Sequence, residues 1–464
     1  MRLFWLLSAV FVLATAEQEE LKPGRKLPIS SKNLNIGVQT AQPEQVHLSY
    51  GDPSKLFVTW LTWNDTGASF VEYGTEETFG TQASATITKF RDTILNSWRY
   101  IHRAEINGIQ AGQKYYYRVG SEYAYSNVFS FKGLKERDDG GYKFAVFGDF
   151  GYVNARSLGR LQNLTQFGEL DTILHVGDYG YDLPYYGDEF FRIIEPIASK
   201  IPYMAGGPGN HEVYFNFTQY KNRFTMPNFK ESENLFYSFD LGQVHFVSFS
   251  TEAYYEILNQ KEQVQTQYNW LADDLKKANE NRENVPWIVV LGHRPMYCTN
   301  TGFVSNCGDP NPVRDGIKTS LFSSKRQYGL EKLFYDNGVD IQFYGHEHNY
   351  ERLYPVYQST VDQGTNGDPY NNPNAPVHVI SGSAGCQENT DEFTLPQAPW
   401  DAARNSDYGF GLLRIYNSTH LYWEQVRAYD GAVVDSFTLI KDRHGFTSEQ
   451  FQAFQKTGKK MTIK

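Results

Sequence analysis

At 464 residues the chain is long enough for two or more domains with substantial cores. Aromatic residues at 16% exclude a disordered polymer, and only three cysteines exclude a disulfide scaffold. A formal net charge of -10 with no Lys/Arg-rich arm argues against a nucleic-acid partner.

Residues 1–16 read as a secretory signal: Arg2 is the charged start, Leu3 to Val12 the apolar stretch, and Ala14-Thr15-Ala16 the small-x-small cleavage site. The alternative is a buried N-terminal helix. No later stretch is apolar enough to span a bilayer, so the mature chain is expected in the secretory route, secreted or extracellular, with a lysosome-like compartment as the other destination. Four acceptor sequons agree with that route, at Asn64, Asn163, Asn216 and Asn417.

Residues 17–42 form a polar lead-in. From 43 to 135, short runs rich in aromatic and β-branched residues alternate with turn-forming residues, at Val46–Tyr50, Lys55–Trp60, Ser69–Tyr73, Tyr100–Ile106, Lys114–Arg118 and Asn127–Phe131. This pattern predicts an antiparallel β-sandwich, with Tyr115-Tyr116-Tyr117 split between its core and surface. Lys135 to Gly141 reads as the linker to a second domain over 142–440, followed by a tail over 441–464.

The second domain alternates apolar strands with amphipathic helices, the helices expected over Gln263–Lys277 and Ser324–Asn337 and a hairpin around Leu241-Gly242. Five of its apolar runs end in short polar stations: Gly148-Asp149-Phe150-Gly151, Gly177-Asp178-Tyr179-Gly180-Tyr181-Asp182, Gly209-Asn210-His211-Glu212, Gly292-His293-Arg294-Pro295 and Gly345-His346-Glu347-His348. Strand ends of an open α/β sheet converge on one crevice, so distant stations can meet there. The donors are Asp149, Asp178, Tyr181, Asn210, His293, His346 and His348. Seven hard donors are too many for one tetrahedral ion and suit two ions sharing a bridge, for which Asp178 is the choice. A phenolate favours a trivalent ion; imidazole and carboxamide suit a divalent one.

The stations resemble those of the metallophosphoesterase superfamily, and within it Asp178-x-x-Tyr181 resembles the purple acid phosphatases. Gly151 stands where most other relatives carry a histidine, and Tyr181 supplies the missing donor. Gly292-His293-Arg294-Pro295-Met296-Tyr297-Cys298 is similar to the animal long-form, type 7 branch. The resemblance covers about residues 43–440 and includes closing strands at Asn405–Gly411 and His420–Glu424.

That resemblance implies a fibronectin III-like N-terminal β-sandwich followed by an α/β phosphoesterase domain, four-layer α-β-β-α with two mixed sheets. It implies iron(III) on Asp149, Tyr181 and His348, a divalent ion (iron(II), zinc or manganese) on Asn210, His293 and His346, and Asp178 between them. The cations outweigh their anionic ligands and attract a phosphate dianion. The implied reaction is in-line attack of a metal-bound hydroxide on a phosphomonoester, with His211 binding phosphate and protonating the leaving oxygen. Plant members carry two further histidines after the His293 position. Met296 to Asp309 has none, and Arg294, Tyr297 or Asn300 is expected to line the pocket instead.

The remaining residues get plainer readings. Cys298 and Cys307 lie close enough in sequence to bridge, leaving Cys386 as a buried thiol. His175, His245 and His378 read as satisfied core histidines, Asp182 as a loop cap, and Glu212 and Glu351-Arg352 as orienters of the ligands or surface ion pairs. The alternative functions are a secreted phosphodiesterase or nucleotidase of the same superfamily, or a non-catalytic secreted adhesion or binding module. A homodimer is compatible with the sequence.

Overall fold

The computed structural model describes residues 40–445 and 459–460, apart from positions 53, 93, 256–259, 301–306, 309, 321–323 and 395. The signal at 1–16, nearly all of the lead-in and most of the tail lie outside the described residues.

Seven antiparallel strands form the N-terminal sandwich: β1 (Glu44–Asp52), β2 (Lys55–Thr62), β3 (Phe70–Gly74), β4 (Thr81–Asp92), β5 (Ser97–Asn107), β6 (Lys114–Gly120) and β7 (Phe129–Lys132). Their order is β1-β2-β5-β4-β3-β6-β7. Strand β4 serves both halves, pairing through its first residues with β3 and through Ala85–Asp92 with β5. It is the strand that the apolar pattern misses, because most of its residues are exposed or half-buried. Alternate residues of the other strands point inward and bury Val58, Trp60, Val71, Tyr117 and Val119.

The second domain adds β8 (Tyr142–Phe147), β9 (Thr172–His175), β10 (Tyr203–Ala205), β11 (Tyr237–Leu241), β12 (Val244–Ser248), β13 (Trp287–Leu291), β14 (Ile341–Tyr344), β15 (Tyr350–Leu353), β16 (Val377–Ser381), β17 (Asp401–Asn405), β18 (Gly409–Ile415), β19 (His420–Arg427) and β20 (Val433–Ile440). They form two mixed sheets, β10-β9-β8-β18-β19-β20 and β11-β12-β13-β14-β16-β15-β17. Strands β8 to β10 run parallel in the first sheet, and β12, β13, β14 and β16 run parallel in the second. The sheets pack face to face: Phe144 meets Phe246 edge-on with ring centroids 5.1 Å apart, and Phe343 meets Trp423 at 4.9 Å.

Helices α1 (Leu158–Gln166) and α2 (Leu183–Ala198) cover the first sheet through Leu161, Phe190 and Ile194, and α3 (Gln260–Glu280) and α4 (Leu330–Asp336) cover the second through Val264, Leu271 and Phe334. The order of layers is helix, sheet, sheet, helix. Helix α4 is shorter than its apolar spacing suggests. Arg326-Gln327 pairs as a two-residue strand with Ile317-Lys318, and Gly329 is extended, so the helix starts at Leu330.

The sandwich is fixed to the second domain by buried charge. Asp188 on α2 accepts from Arg99 of β5 at 2.7 Å and from Arg223 at 2.9 Å. The Arg99 guanidinium also lies 4.1 Å from the Trp63 ring centroid.

Candidate metal centre

Five strands, β8, β9, β10, β13 and β14, end at one edge of the two sheets, and each runs into one of the five stations. Asp149, Asp178, Tyr181 and His346 all have positive φ, at 59°, 58°, 46° and 72°, and each directly follows a glycine. Side-chain-bearing residues rarely adopt that conformation, and it clusters at functional sites. The glycines also make room: a Cβ on Gly345 would sit 2.3 Å from Asp149 Oδ2, and one on Gly209 would sit 2.1 Å from Asp178 Oδ1.

The seven donors do come together. The Tyr181 hydroxyl lies 3.0 Å from Asp149 Oδ1 and 2.6 Å from His348 Nε2. His293 Nε2 lies 3.3 Å from Asp178 Oδ2 and 3.2 Å from Asn210 Oδ1. Ligand atoms of Asp149, Asp178 and His348 all fall within 4.8 Å of one another, and so do those of Asp178, His293 and His346. Asp178 is common to both groups. Outer contacts fix the ligand orientations. The His293 Nδ1 lies 3.0 Å from the Val176 carbonyl and the His348 Nδ1 2.9 Å from that of Asn389, which leaves both Nε2 atoms facing inward. Backbone amides of His346 and His211 donate to Asp149 and Asp178.

Two carboxylates with essentially no solvent exposure meet here. Burial pushes Asp149 up, and His348 and His293 only partly offset it. Burial also opposes the charge on Asp178, but His293 and His211 outweigh it and hold Asp178 well below the usual carboxylate range. Burial, then Asp149 and Asp178, push the Tyr181 phenol well above its ordinary value. A buried anionic pocket of oxygen and nitrogen donors is costly without cations and fits two of them.

His211 stands at the mouth of this pocket. Its Nδ1 lies 2.6 Å from Asp182 Oδ1, and its Nε2 lies 3.9 Å from Asp178 Oδ2 and 3.6 Å from Glu388 Oε1. Burial disfavours its protonation, but Asp178, Asp182 and Glu388 together push it up to about 10. Glu212 accepts the backbone amides of Asp178, Tyr179 and Gly209, at 2.9, 2.9 and 2.8 Å, and so locks two stations together.

Several expectations need correction. Asp182 stands at the N-terminus of α2, where its carbonyl accepts the Tyr185 and Tyr186 amides, but its side chain makes no capping hydrogen bond and holds His211 instead. Glu351 and Arg352 neither orient the ligands nor pair with each other: Glu351 accepts from the Thr299 amide, and Arg352 pairs with Asp435 at 2.6 Å. His245 is no core histidine, since it bridges Asp240 and Asp274 at 2.6 and 3.0 Å. His175 and His378 are buried as expected: His175 Nδ1 lies 2.7 Å from the Tyr203 hydroxyl, while among the described residues His175 Nε2 and both His378 nitrogens make no close hydrogen bond. Tyr297 bonds Glu331 deep in the second sheet's core rather than lining the pocket, and Asn300 is buried beside Cys298. Arg294 does reach the centre, with Nη1 2.9 Å from His346 Nε2, and it is anchored by Glu252 at 2.8 Å. Cys298 and Cys307 are bonded, and Cys386 is a buried thiol 3.7 Å from His348 Nδ1.

Glu388 escaped the sequence reading. Its signal was present: β16 is another apolar run followed by glycines, Gly382 and Gly385, and Gly385 donates its amide to the Asp149 carbonyl.

Residues 43–133 match the family described as the purple acid phosphatase N-terminal domain, residues 142–350 the calcineurin-like phosphoesterases, and residues 375–436 the iron/zinc purple acid phosphatase-like protein C. Acid phosphatase type 7 of Homo sapiens is 43% identical over 420 residues, covering 89% of this chain and 94% of that protein. The chain belongs to the purple acid phosphatase family. Acid phosphatase type 7 of Danio rerio is likewise 43% identical, over 87% of this chain and 92% of its own length. A purple acid phosphatase from yellow lupin (Lupinus luteus) seeds shares the fold with a TM-score of 0.70 at 26% identity, covering 87% of this chain and 75% of that one. A binuclear metal centre accords with that family. Among the described residues no helix is long and apolar enough to cross a membrane.

Proposed function

We propose that the chain is a secreted, glycosylated acid phosphatase that hydrolyses phosphomonoesters at an iron(III)/divalent-metal centre. The observation that carries this reading is the pair of three-donor groups sharing Asp178 at the convergence of five strand ends. Asp149, Tyr181 and His348 would hold iron(III); Asn210, His293 and His346 would hold zinc, iron(II) or manganese, with Asp178 between them. Two bound cations supply Lewis-acid polarisation of the ester and acidify water.

The chain's own residues supply the rest. His211 carries a proton that Asp182 keeps on the ring by accepting from Nδ1. Its Nε2 faces the open side of the pocket, where it can bind a phosphate oxygen and donate a proton to the departing alkoxide. Arg294 adds a fixed positive group beside His346. The side chains of Asn64, Asn163, Asn216 and Asn417 are all exposed, which supports glycan attachment at each. Together with the N-terminal signal pattern, that supports a secreted or lysosome-like location.

The test is a comparison of 4-nitrophenyl phosphate with bis(4-nitrophenyl) phosphate from pH 4 to 7, on protein whose metal content has been measured. The expected outcome is a higher kcat/KM on the monoester. A higher value on the diester would assign the chain to phosphodiesterases instead, and full metal with no hydrolysis of either would make it a binding protein.

A further inference from the structure

The mouth of the pocket carries two carboxylates, Asp182 and Glu388, facing one His211 ring, so it would be opposite in sign to a floor loaded with two cations. Glu388 sits on the loop after β16, half exposed, with its carboxylate 3.6 Å from His211 Nε2. Asp182 lies on the other side of the same ring. Among the described residues neither carboxylate is paired with a lysine or arginine. Four exposed tyrosines stand on the same side: Tyr152, Tyr185, Tyr186 and Tyr214. The phenol of Tyr214 lies in the field of Asp182, Tyr185 and Glu388, and Tyr186 links Tyr185 to Tyr152 with ring centroids 6.5 and 6.1 Å apart. These six side chains come from four separate segments, so no single helix or loop accounts for the grouping.

Resting on the phosphatase reading above, we propose that Glu388 and this tyrosine rim select phosphomonoesters whose leaving group carries an organic cation, an alkylammonium. A floor holding two metal ions attracts the phosphate dianion. A leaving group departing past His211 then emerges between carboxylates and aromatic faces, the two environments that stabilise an ammonium. A zwitterionic ester, anionic at one end and cationic at the other, matches both ends of the pocket. The same carboxylates repel the polyphosphate tail of a nucleotide, so nucleoside di- and triphosphates are the poorer substrates.

The experiment uses the metal-loaded full chain and two esters of the same shape, choline phosphate and its neutral isostere 3,3-dimethylbutyl phosphate. The quantity read is the ratio of their kcat/KM values, compared between wild type and variants, which cancels the different reactivities of the two alcohols. Because Glu388 is half exposed and its field is screened, Glu388→Gln should lower the ratio about fivefold. Glu388→Lys should lower it further, and Tyr214→Ala should lower it through the lost aromatic face. A ratio that is the same in wild type and all three variants overturns this inference and leaves the phosphatase reading intact. Absence of hydrolysis of both esters and of 4-nitrophenyl phosphate overturns both.

Discussion

Tyr181 shows how one side chain sets the chemistry of the centre. Its phenol is buried beside two carboxylates, all of which oppose ionisation. Only a strongly polarising cation can hold it as phenolate; were that cation the proposed iron(III), the phenolate would absorb visible light. Tyr181→Phe should abolish that absorption while the Asn210, His293 and His346 donors remain, so a spectrum unchanged by the substitution would remove iron(III) from this position. Gly345 is as demanding. A Cβ there collides with the Asp149 carboxylate and meets a turn that the following His346 enters at positive φ, so Gly345→Ala should release metal, as read by elemental analysis. His245 makes a separate, pH-dependent contribution. Burial lowers its pKa, but the Asp240 and Asp274 carboxylates raise it from 6.5 to about 9. A group with a raised folded pKa stabilises fully below its unfolded value and loses that stabilisation as pH rises through the folded one. The difference in melting temperature between wild type and His245→Gln should therefore be largest below pH 6.5 and shrink to nothing above about pH 9. A difference that does not vary with pH would mean that His245 acts by packing alone. The sequence could suggest none of this for His245. Its alternating strand context looks like core, and its two partners lie five and 29 residues away.

Helix α2 does more than cover a sheet. Its first turn follows Tyr181 and Asp182, and its Asp188 accepts from two arginines, one from the sandwich and one from the segment before Phe224. Both guanidiniums are almost wholly buried, at 0% and 2% side-chain exposure. They hold the Asp188 carboxyl far below its ordinary range against the burial that opposes its charge. Removing one partner of such a group leaves charge stranded, which costs about 3–5 kcal/mol. Asp188→Asn should lower the urea midpoint accordingly, and Asp188→Leu with Arg99→Met and Arg223→Met should recover much of the loss. Equal destabilisation by both would show that the site is held by shape rather than charge. At this scale the sequence is uneven. Strands buried on both faces, such as β13 with all five residues buried, announce themselves as apolar runs. Strand β4 does not, because it exposes most of its residues, and α4 is cut short by a two-residue strand that no period marks.

The two-sheet architecture explains why the centre was readable while its rim was not. Ligands sit at the carboxyl ends of buried parallel strands, so each is flagged by an apolar run and a glycine, and chain order alone lines up the stations. Asp182 and Glu388 do follow apolar runs and glycines, but their meeting around His211, and the approach of Tyr214, are products of packing that no local pattern encodes. The same architecture makes a thermodynamic prediction. Asp149, Asp178, Tyr181 and Asn210 come from the first sheet's loops, and His293, His346 and His348 from the second's. Separating the sheets therefore destroys both three-donor groups at once, and the unfolded chain offers no comparable cage. Ions that bind only the folded state stabilise it by about 4 kcal/mol at a thousandfold excess over Kd. Chelator-stripped protein should unfold at a lower urea concentration than metal-loaded protein, with the dependence of free energy on urea unchanged, because the same surface is exposed in both cases. Titrating metal back should restore the midpoint progressively. A midpoint indifferent to metal, in protein shown to bind it, would mean that the ions contact only one sheet's loops and that the seven donors do not act as a single cage.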